Sequence, residues 1–271
     1  MKKNILKGIG VLAVVAFVGI ASVQTTEAKT LKENKTYKIN LDQKKGKEKI
    51  QIKSRKAKTG DYRVFTLYIN GKKAAKQTGN DIKCRVVDID KKVKGKDIIF
   101  YATTESQCLA HNAGIYSYKK GKCKRILNMN NQYFRIDKIY CNGRGRVIVE
   151  ADTPVDIGIC CYYGNIAYKM QSGKLVRKTY GDFLFSKTTQ NMKYELNEKT
   201  KLYRDPDKTK ESKVTLKKNT EIQLVRAKYN TEECGYLYVI AKDGTSGWMA
   251  IRPMSYEEID HNQFKSYPTW G

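Results

Sequence analysis

Histidine is scarce in this sequence, which has 271 residues but only two histidines, His111 and His261. A cysteine peptidase needs a thiolate beside a histidine. His111 follows Cys108 by three residues, but their CLAHNAG segment offers no helix that would lower the thiol pKa. The G-x-S-x-G, H-E-x-x-H and Walker glycine motifs are also missing. The sequence therefore contains no recognisable catalytic motif, and we expect the protein not to be an enzyme. The alternative is that two of the 27 acidic residues converge as a glycosidase pair.

The C-x-x-C spacing of zinc and redox sites is also missing. The chain has seven cysteines, an odd number that leaves at least one thiol unpaired or paired with another molecule. Adjacent Cys160 and Cys161 point to opposite faces if they lie in a strand, so we do not expect them to pair with each other. A disulfide framework and a set of buried thiols remain alternatives.

Long apolar runs are limited to the N-terminal segment. Three lysines precede an apolar run from Ile9 to Val18, and small and polar residues follow it. This pattern predicts a signal peptide over residues 1–28, because the run is too short to span a bilayer comfortably as an anchor. We expect a secreted mature protein without a membrane span, either free outside the cell or associated with the cell wall.

Acidic residues are outnumbered by basic ones, and the formal charge is +26. The excess is concentrated in residues 29–60, which contain twelve Lys and Arg but only three acidic residues. Such a surface attracts polyanions in a salt-dependent way. If the protein is exported by a Gram-positive bacterium, the polyanions that it would meet are teichoic acids, anionic polysaccharides and membrane lipids. Nucleic acid is less favoured because no recognised module accompanies the charge. The alternative is that the lysines are simply solvated.

A pattern of strand, Gly/Lys turn and strand occurs three times. It is present in YKINLDQKKGKEKIQIK, RVVDIDKKVKGKDIIFYA and RIDKIYCNGRGRVIVEA, whose turn glycines are Gly46, Gly95 and Gly145. A second hairpin follows each copy, with its turn at Gly71, Gly121 and Gly173. Two features that repeat in step at about fifty residues predict tandem units of four strands. Because one such sheet cannot bury both faces, we expect the units at about 36–79, 84–129 and 134–180 to pack together in a propeller-like domain over residues 29–185.

This pattern resembles the FG-GAP and VCBS-like repeats of secreted bacterial proteins, whose units often open with a D-x-D-x-D-G loop. The resemblance raises the question of calcium, which prefers six to eight oxygen ligands. Asp88 and Asp90 occupy the first and third loop positions, but Lys92 occupies the fifth, where an ammonium repels the ion. We therefore expect no cofactor, with Asp88 and Asp90 as weak calcium candidates, and we interpret the loop as a retained turn.

The C-terminal part has a different pattern. We predict a linker at 186–199, a small β domain at 200–253 and a tail at 254–271. The segments TKLYRDP, VTLKKNTEIQLV and YLYVIAKDGTSGWMAI resemble the bacterial SH3-like (SH3b) domains of cell-wall proteins. The expected fold class is thus all-β, with three four-stranded antiparallel propeller-like units followed by a small SH3-like barrel. We also expect Asp243 and Gly244 to form a tight hairpin turn with positive φ at both residues.

The SH3-like resemblance implies an aromatic groove that receives a peptide. By position, the candidate ligand-binding residues are Tyr203, Tyr236, Tyr238 and Trp248, and a loop aspartate, Asp205 or Asp207, would face a cationic group. Each aromatic could instead belong to the core. The YRDPDKTKES segment replaces the arginine pattern that usually follows the first strand in this family.

Two functional hypotheses follow. The first is a secreted, non-catalytic binding protein, in which the basic repeats adhere to an anionic cell-surface polymer and the SH3-like domain binds peptidoglycan peptide or a surface protein. The alternative is an accessory cell-wall hydrolase, or a secreted regulator of an enzyme, with its active groups in a central cleft of the repeat domain.

Overall fold

The computed structural model describes residues 28–58, 60–103, 113–129, 135–152, 162–178, 182–205, 214–229, 235–251 and 263–266. The expected signal peptide therefore lies outside the described residues except for Ala28. In these ranges the chain forms 21 strands and one four-residue helix, and all strand pairs are antiparallel. The all-β prediction is confirmed. None of the described helical structure is long and apolar enough to cross a membrane.

The first sheet is a four-stranded meander. Its strands are β2 (Thr36–Ile39), β3 (Glu48–Lys56), β4 (Arg63–Ile69) and β5 (Lys72–Gly79), paired in chain order. Residues alternate between buried and accessible along β3 and β4, as in a sheet with one face on a core.

The second sheet has the same meander with one strand added. Its four consecutive strands are β6 (Asp81–Val87), β7 (Asp97–Thr103), β8 (Ala113–Lys119) and β9 (Lys122–Asn128). The short N-terminal strand β1 (Lys29–Leu31) pairs with the free edge of β6. The first six residues of β7 and of β8 are all buried, because other sheets cover both faces of this one.

The third sheet begins with β10 (Arg135–Cys141), β11 (Arg146–Asp152), β12 (Tyr163–Gln171) and β13 (Lys174–Arg177). Strand β14 (Asp182–Phe185) also pairs with β12 and then with a strand of the C-terminal region. The third sheet is therefore continuous with the C-terminal strands.

The three sheets stack face to face in chain order. One core lies between the first and second sheets and includes Ile50, Ile52, Phe65, Leu67, Ile98 and Phe100. A second core lies between the second and third sheets and includes Ile99, Ile115, Met129, Ile139, Val149 and Ile166. Neighbouring β7 residues Ile98, Ile99 and Phe100 thus alternate between the two cores, because successive side chains of a strand point to opposite faces.

The contact between consecutive sheets is itself repeated. The Lys96 N–H donates to the Leu41 carbonyl (2.6 Å), which links the glycine turn of the second sheet to the first sheet. At the next turn, the N–H of the glycine itself, Gly145, donates to the Ile89 carbonyl (2.8 Å) from one position earlier than in the Lys96 contact, and this bond links the third sheet to the second. The sequence repeat is therefore matched by a repeated backbone contact.

The C-terminal strands surround a third core. They are β15 (Tyr194–Leu196), β16 (Thr200–Leu202), β17 (Val214–Leu216), β18 (Glu221–Tyr229), β19 (Gly235–Ala241), β20 (Ser246–Ile251) and β21 (Phe264–Ser266). Sheet order runs β14, β18, β15 and β21, with β19 and β20 branching from β18. Strands β16 and β17 form a separate pair. No sheet closes on itself within the described ranges.

Two segments expected to lie outside the small domain contribute to its core. The expected linker 186–199 contains α1 (Lys187–Gln190) and β15, and both Tyr194 and Leu196 are fully buried. The expected tail contains β21, whose Phe264 is buried and contacts the Tyr194 ring at 5.8 Å between centroids. These short strands were not recognised in the sequence. Each has at most two inward-facing side chains, and its neighbours are polar, so no alternating pattern is visible.

The hairpin turns divide into two kinds. Asn70 and Gly71 both have positive φ (50° and 77°), as a type I′ turn requires, and the same holds at the equivalent turns of the second and third sheets. The Asp243–Gly244 prediction is wrong, because only Gly244 has a positive φ (85°). The Gly244 N–H donates to the Ala241 carbonyl (2.9 Å), and a longer turn with one left-handed glycine connects the strands.

Candidate functional site

Aromatic side chains cover the outer face of β19 and β20. Along β19, Tyr236 and Tyr238 are half-buried, whereas the residues between and beside them are buried. Along β20, Trp248 is half-buried between buried Gly247 and Met249. The three rings therefore lie on the face of the sheet opposite the core.

The centre of this face is the pair formed by Tyr238 and Trp248. These residues are directly opposite each other in the β19–β20 ladder, and their rings meet edge to face with centroids 5.3 Å apart and planes at 72°. The Tyr238 hydroxyl donates to Ser246 Oγ at 3.2 Å, which orients the phenol ring. Arg226 lies opposite Tyr238 on β18, and its Cζ is 5.9 Å from the Trp248 ring centroid.

Tyr203 joins the same face from the end of β16. Its N–H donates to the Trp248 carbonyl (2.7 Å), and the Trp248 N–H donates to the Tyr203 carbonyl (2.9 Å). Gly247 permits this approach, since a Cβ there would lie 3.0 Å from Leu202 Cβ and 3.1 Å from the Tyr203 carbonyl oxygen. The glycine before Trp248 thus brings the β16 backbone against β20.

The four candidate aromatics therefore occupy neighbouring positions on one surface, which we call the aromatic face: Tyr203, Tyr236, Tyr238 and Trp248. Arg226 belongs to it but was missed in the sequence, because a register shift after Leu224 decides which residue of β18 faces Tyr238. Asp205 is half-buried just beyond Tyr203, and Asp207 lies outside the described residues.

The aromatic face combines flat apolar rings with a guanidinium. Tyr and Trp rings bury a large area while keeping polar atoms at their edges, so they suit ligands with alternating apolar and polar surfaces. A guanidinium over an aromatic ring adds a cationic group for a ligand carboxylate. Chemically, the surface can bind a peptide or a glycan, and its described residues include no nucleophile with an adjacent base.

The two calcium candidates lie at the first turn of the second sheet. Asp90 Oδ1 accepts the backbone N–H two residues later at 3.1 Å, and Asp42 (3.0 Å) and Asn142 (2.8 Å) do the same in the first and third sheets. Since uncharged Asn142 makes the same contact, the role of this side chain is to shape the turn. Burial is the main cause of a raised pKa at Asp88. Within the described ranges, no three His, Cys, Asp or Glu residues are grouped to hold a metal ion.

A cleft of about 500 Å³ lies between the edges of the second and third sheets, beside β1. Its lining mixes three carboxylates with four cations: Glu33, Asp81, Asp137, Lys32, Lys83, Arg85 and Lys138. The Arg85 guanidinium donates to the Ile139 carbonyl at 2.5 Å, and Lys138 pairs with Asp137 at 3.2 Å. The sequence did not indicate this cleft, because its residues come mainly from four strands, β1, β6, β7 and β10, that span more than a hundred residues of the chain.

Three cysteines are described, and all three are free thiols: Cys84, Cys123 and Cys141. Burial raises the pKa of Cys123 to about 11 and that of Cys141 to about 12, and it raises the pKa of Cys84 further still. A thiol that stays protonated at neutral pH is a poor nucleophile. These three residues therefore act as small apolar side chains of the sheets. The other four cysteines, and both histidines, lie outside the described residues.

No protein-family model matches this chain, and searches of curated proteins and of solved structures also find no match. Its function is therefore inferred from the geometry of its surfaces.

Proposed function

We propose that this is a secreted, non-catalytic binding protein of the bacterial cell surface. In this proposal, the aromatic face of the C-terminal strands binds a cell-wall peptide or a surface protein. The basic repeat region adheres to an anionic cell-surface polymer such as teichoic acid.

We also propose a finer description of the fold. The three stacked sheets each contain a meander of four strands, and these meanders correspond to propeller-like units related to FG-GAP and VCBS-like repeats, whereas strands β15–β20 correspond to an SH3-like module. Support for the first part comes from the recurring N–H to carbonyl contacts at Leu41 and Ile89. Support for the second comes from the contact between Tyr203 and Trp248, which joins β16 to β20 around one core.

The observation that carries the proposed function is the outward orientation of the aromatic face. Trp248 and its neighbours are half-exposed although the same strands bury apolar side chains on their other face. Trp, Tyr and Arg are the residue types that contribute most of the binding energy at protein interfaces, and the aromatic face contains all three. Removing such a central residue costs about 2 kcal/mol or more of binding free energy.

A pulldown on purified cell wall from which teichoic acid has been removed tests this proposal, because the basic repeat region would otherwise retain every variant. We expect Trp248→Ala to weaken retention about 30-fold, which corresponds to about 2 kcal/mol. Tyr62→Ala is the matched control, because Tyr62 is an aromatic residue that is 37% exposed in a loop of the first sheet. Trp248→Phe keeps a ring and should retain part of the binding. If the Trp248→Ala protein is folded and binds like the control, the aromatic face is not the binding surface.

The cleft beside β1 provides a specific reason to keep the hydrolase alternative, since Asp81 and Asp137 both line it. The same pulldown separates the two functions. Retention without release of wall fragments supports a binding protein. Release of muropeptides or sugars, abolished by Asp81→Asn or Asp137→Asn, would replace the proposal with the hydrolase.

A further inference from the structure

The outer face of the first sheet carries positive charge without any negative charge. Cross-strand partners lie on the same face of a sheet, so the strand register assigns each paired residue of β2–β5 to the core face or the outer face. No Asp or Glu occupies the outer face. Its six cations, which define the basic face, are Lys38, Lys49, Lys53, Arg55, Lys73 and Lys76.

All six cationic side chains are exposed. None forms an ion pair with any described residue. The opposite face of this sheet is covered by the second sheet. The glycine turns show the same asymmetry: a Cβ at Gly46 would meet nothing within 4 Å, whereas one at Gly95 would lie 2.9 Å from the Tyr118 carbonyl oxygen. The first sheet thus ends the described stack and leaves its charged face accessible.

Some of these charges oppose each other within the sheet. Lys38 and Lys49 are directly opposite in the β2–β3 ladder. Like charges in such a pair destabilise a sheet. Lys53 and Lys76 flank Thr66 from the two neighbouring strands, so they lie about 10 Å apart across β4. A bound polyanion would relieve this repulsion.

The geometry favours a flexible phosphodiester chain. Alternate residues of a strand are about 7 Å apart. An extended chain advances about 3.6 Å for every three bonds, so phosphates separated by six bonds in a glycerol phosphate polymer are also about 7 Å apart. Five of the six cations are lysines, which bind phosphate as point charges and need no fixed bidentate geometry.

The same face lacks the features that nucleic acids need. Its one aromatic residue is Tyr68, which already has Lys53 Nζ 5.6 Å from its ring centroid. Single-stranded nucleic acid is bound by successive aromatic side chains on which bases stack. A flat sheet face also offers no helix or ribbon to enter a groove of duplex DNA.

We propose that the basic face binds a linear polyol-phosphate polymer of the teichoic-acid type. This proposal rests on the proposed function and deepens it, because it assigns adhesion to one face of one sheet. The bound chain lies along β3, where Lys53 and Arg55 would face successive phosphates and Lys49 would face the phosphate two repeats before that of Lys53. The basic face and the aromatic face are on different sheets and bind independently.

Immobilised poly(glycerol phosphate) is the probe for the test, with binding measured over a range of salt concentrations. Six neutralised phosphates predict a slope of about −4 for log K against log salt, at about −0.7 for each phosphate of a flexible chain. The double variant Lys53→Gln/Lys76→Gln should reduce the magnitude of the slope, from about −4 to about −3, and should weaken binding about 30-fold at low salt. The control is Lys122→Gln with Lys124→Gln, two exposed residues of β9 that change the net charge equally.

The outcomes are distinct. Loss of binding in the Lys53/Lys76 variant but not in the Lys122/Lys124 control supports the proposal, with thermal melting used to show that both variants are folded. Equal losses would show that only net charge matters and would overturn it. Tighter binding to single-stranded DNA of equal charge would replace the polyol phosphate with nucleic acid. Trp248→Ala should leave poly(glycerol phosphate) binding unchanged, because Trp248 belongs to the aromatic face. Failure of the basic-face proposal can therefore be distinguished from failure of the proposal that the aromatic face binds the cell wall.

Discussion

Asp97, at the start of β7, makes stability depend on pH in a direction opposite to that of an ordinary surface carboxylate. The residue is 6% exposed, and its Oδ2 accepts the Ile89 N–H at 3.2 Å. Burial raises the pKa of Asp97 from 3.8 to about 6, although the Ile89 N–H, Ser117 and Lys119 favour the charged form. The nearby Asp88 carboxylate raises this pKa further. The folded protein therefore binds a proton at Asp97 more tightly than the unfolded chain does.

The magnitude follows from linkage. A pKa difference of about two units corresponds to about 3 kcal/mol, at about 1.4 kcal/mol for each unit. Below pH 4 Asp97 is protonated in both states and the cost is absent. Between pH 4 and pH 6 the carboxyl group is ionised in the unfolded chain but still protonated in the folded protein, so the free energy of unfolding falls by about 3 kcal/mol across this range and stays at the lower value above pH 6.

Replacing Asp97 with Asn tests this reasoning, because the amide oxygen can still accept the Ile89 N–H but cannot ionise. We expect Asp97→Asn to be more stable than wild type by up to about 3 kcal/mol at pH 7.5 and nearly equal at pH 4. Urea unfolding followed by circular dichroism at both pH values measures the difference, in which the contributions of other titrating groups cancel. A variant that is less stable at pH 7.5, or whose difference does not vary with pH, would refute the argument.

Two further predictions concern the packing of the sheets. Gly95→Ala and Gly46→Ala both introduce a side chain at positive φ, at a cost of about 1–3 kcal/mol each. Gly95→Ala should cost at least 1 kcal/mol more in urea unfolding, because its Cβ would lie 2.9 Å from a carbonyl oxygen; equal costs would contradict the stacking. In brief iodoacetamide labelling read by mass spectrometry, buried Cys84 and Cys141 should be protected and half-buried Cys123 should label faster, whereas urea should expose all three. Rapid labelling of Cys84 in the folded protein would argue against its burial.

Local features of the chain were predictable because they depend on neighbours in sequence. The alternation around Ile50 and Ile52 indicates a strand with one buried face, and the recurring glycines indicate the turns between strands. The Asp243 turn was mispredicted because an Asp-Gly pair fits two turn types, and the register of β19 and β20 selects between them. The strands at Tyr194 and Phe264 were missed because their partners lie far away in the chain.

The candidate site shows the same division. Aromatic residues near Trp248 could be chosen from the sequence, but core and surface positions could not be distinguished, since either face of a strand can be the buried one. The ladder between β19 and β20 decides that Tyr238 and Trp248 face outward together. Arg226 joins them through a register shift that no local pattern reveals.

By itself, the sequence determined that this chain is a strand-rich, strongly basic protein with three similar units, because hydrophobic alternation, turn residues and charge are properties of neighbouring residues. Only the tertiary structure decided which sheet is covered on both faces, which face keeps its lysines exposed and which aromatics meet at one surface. Those outcomes depend on register and stacking, which arise from contacts between residues distant in the chain.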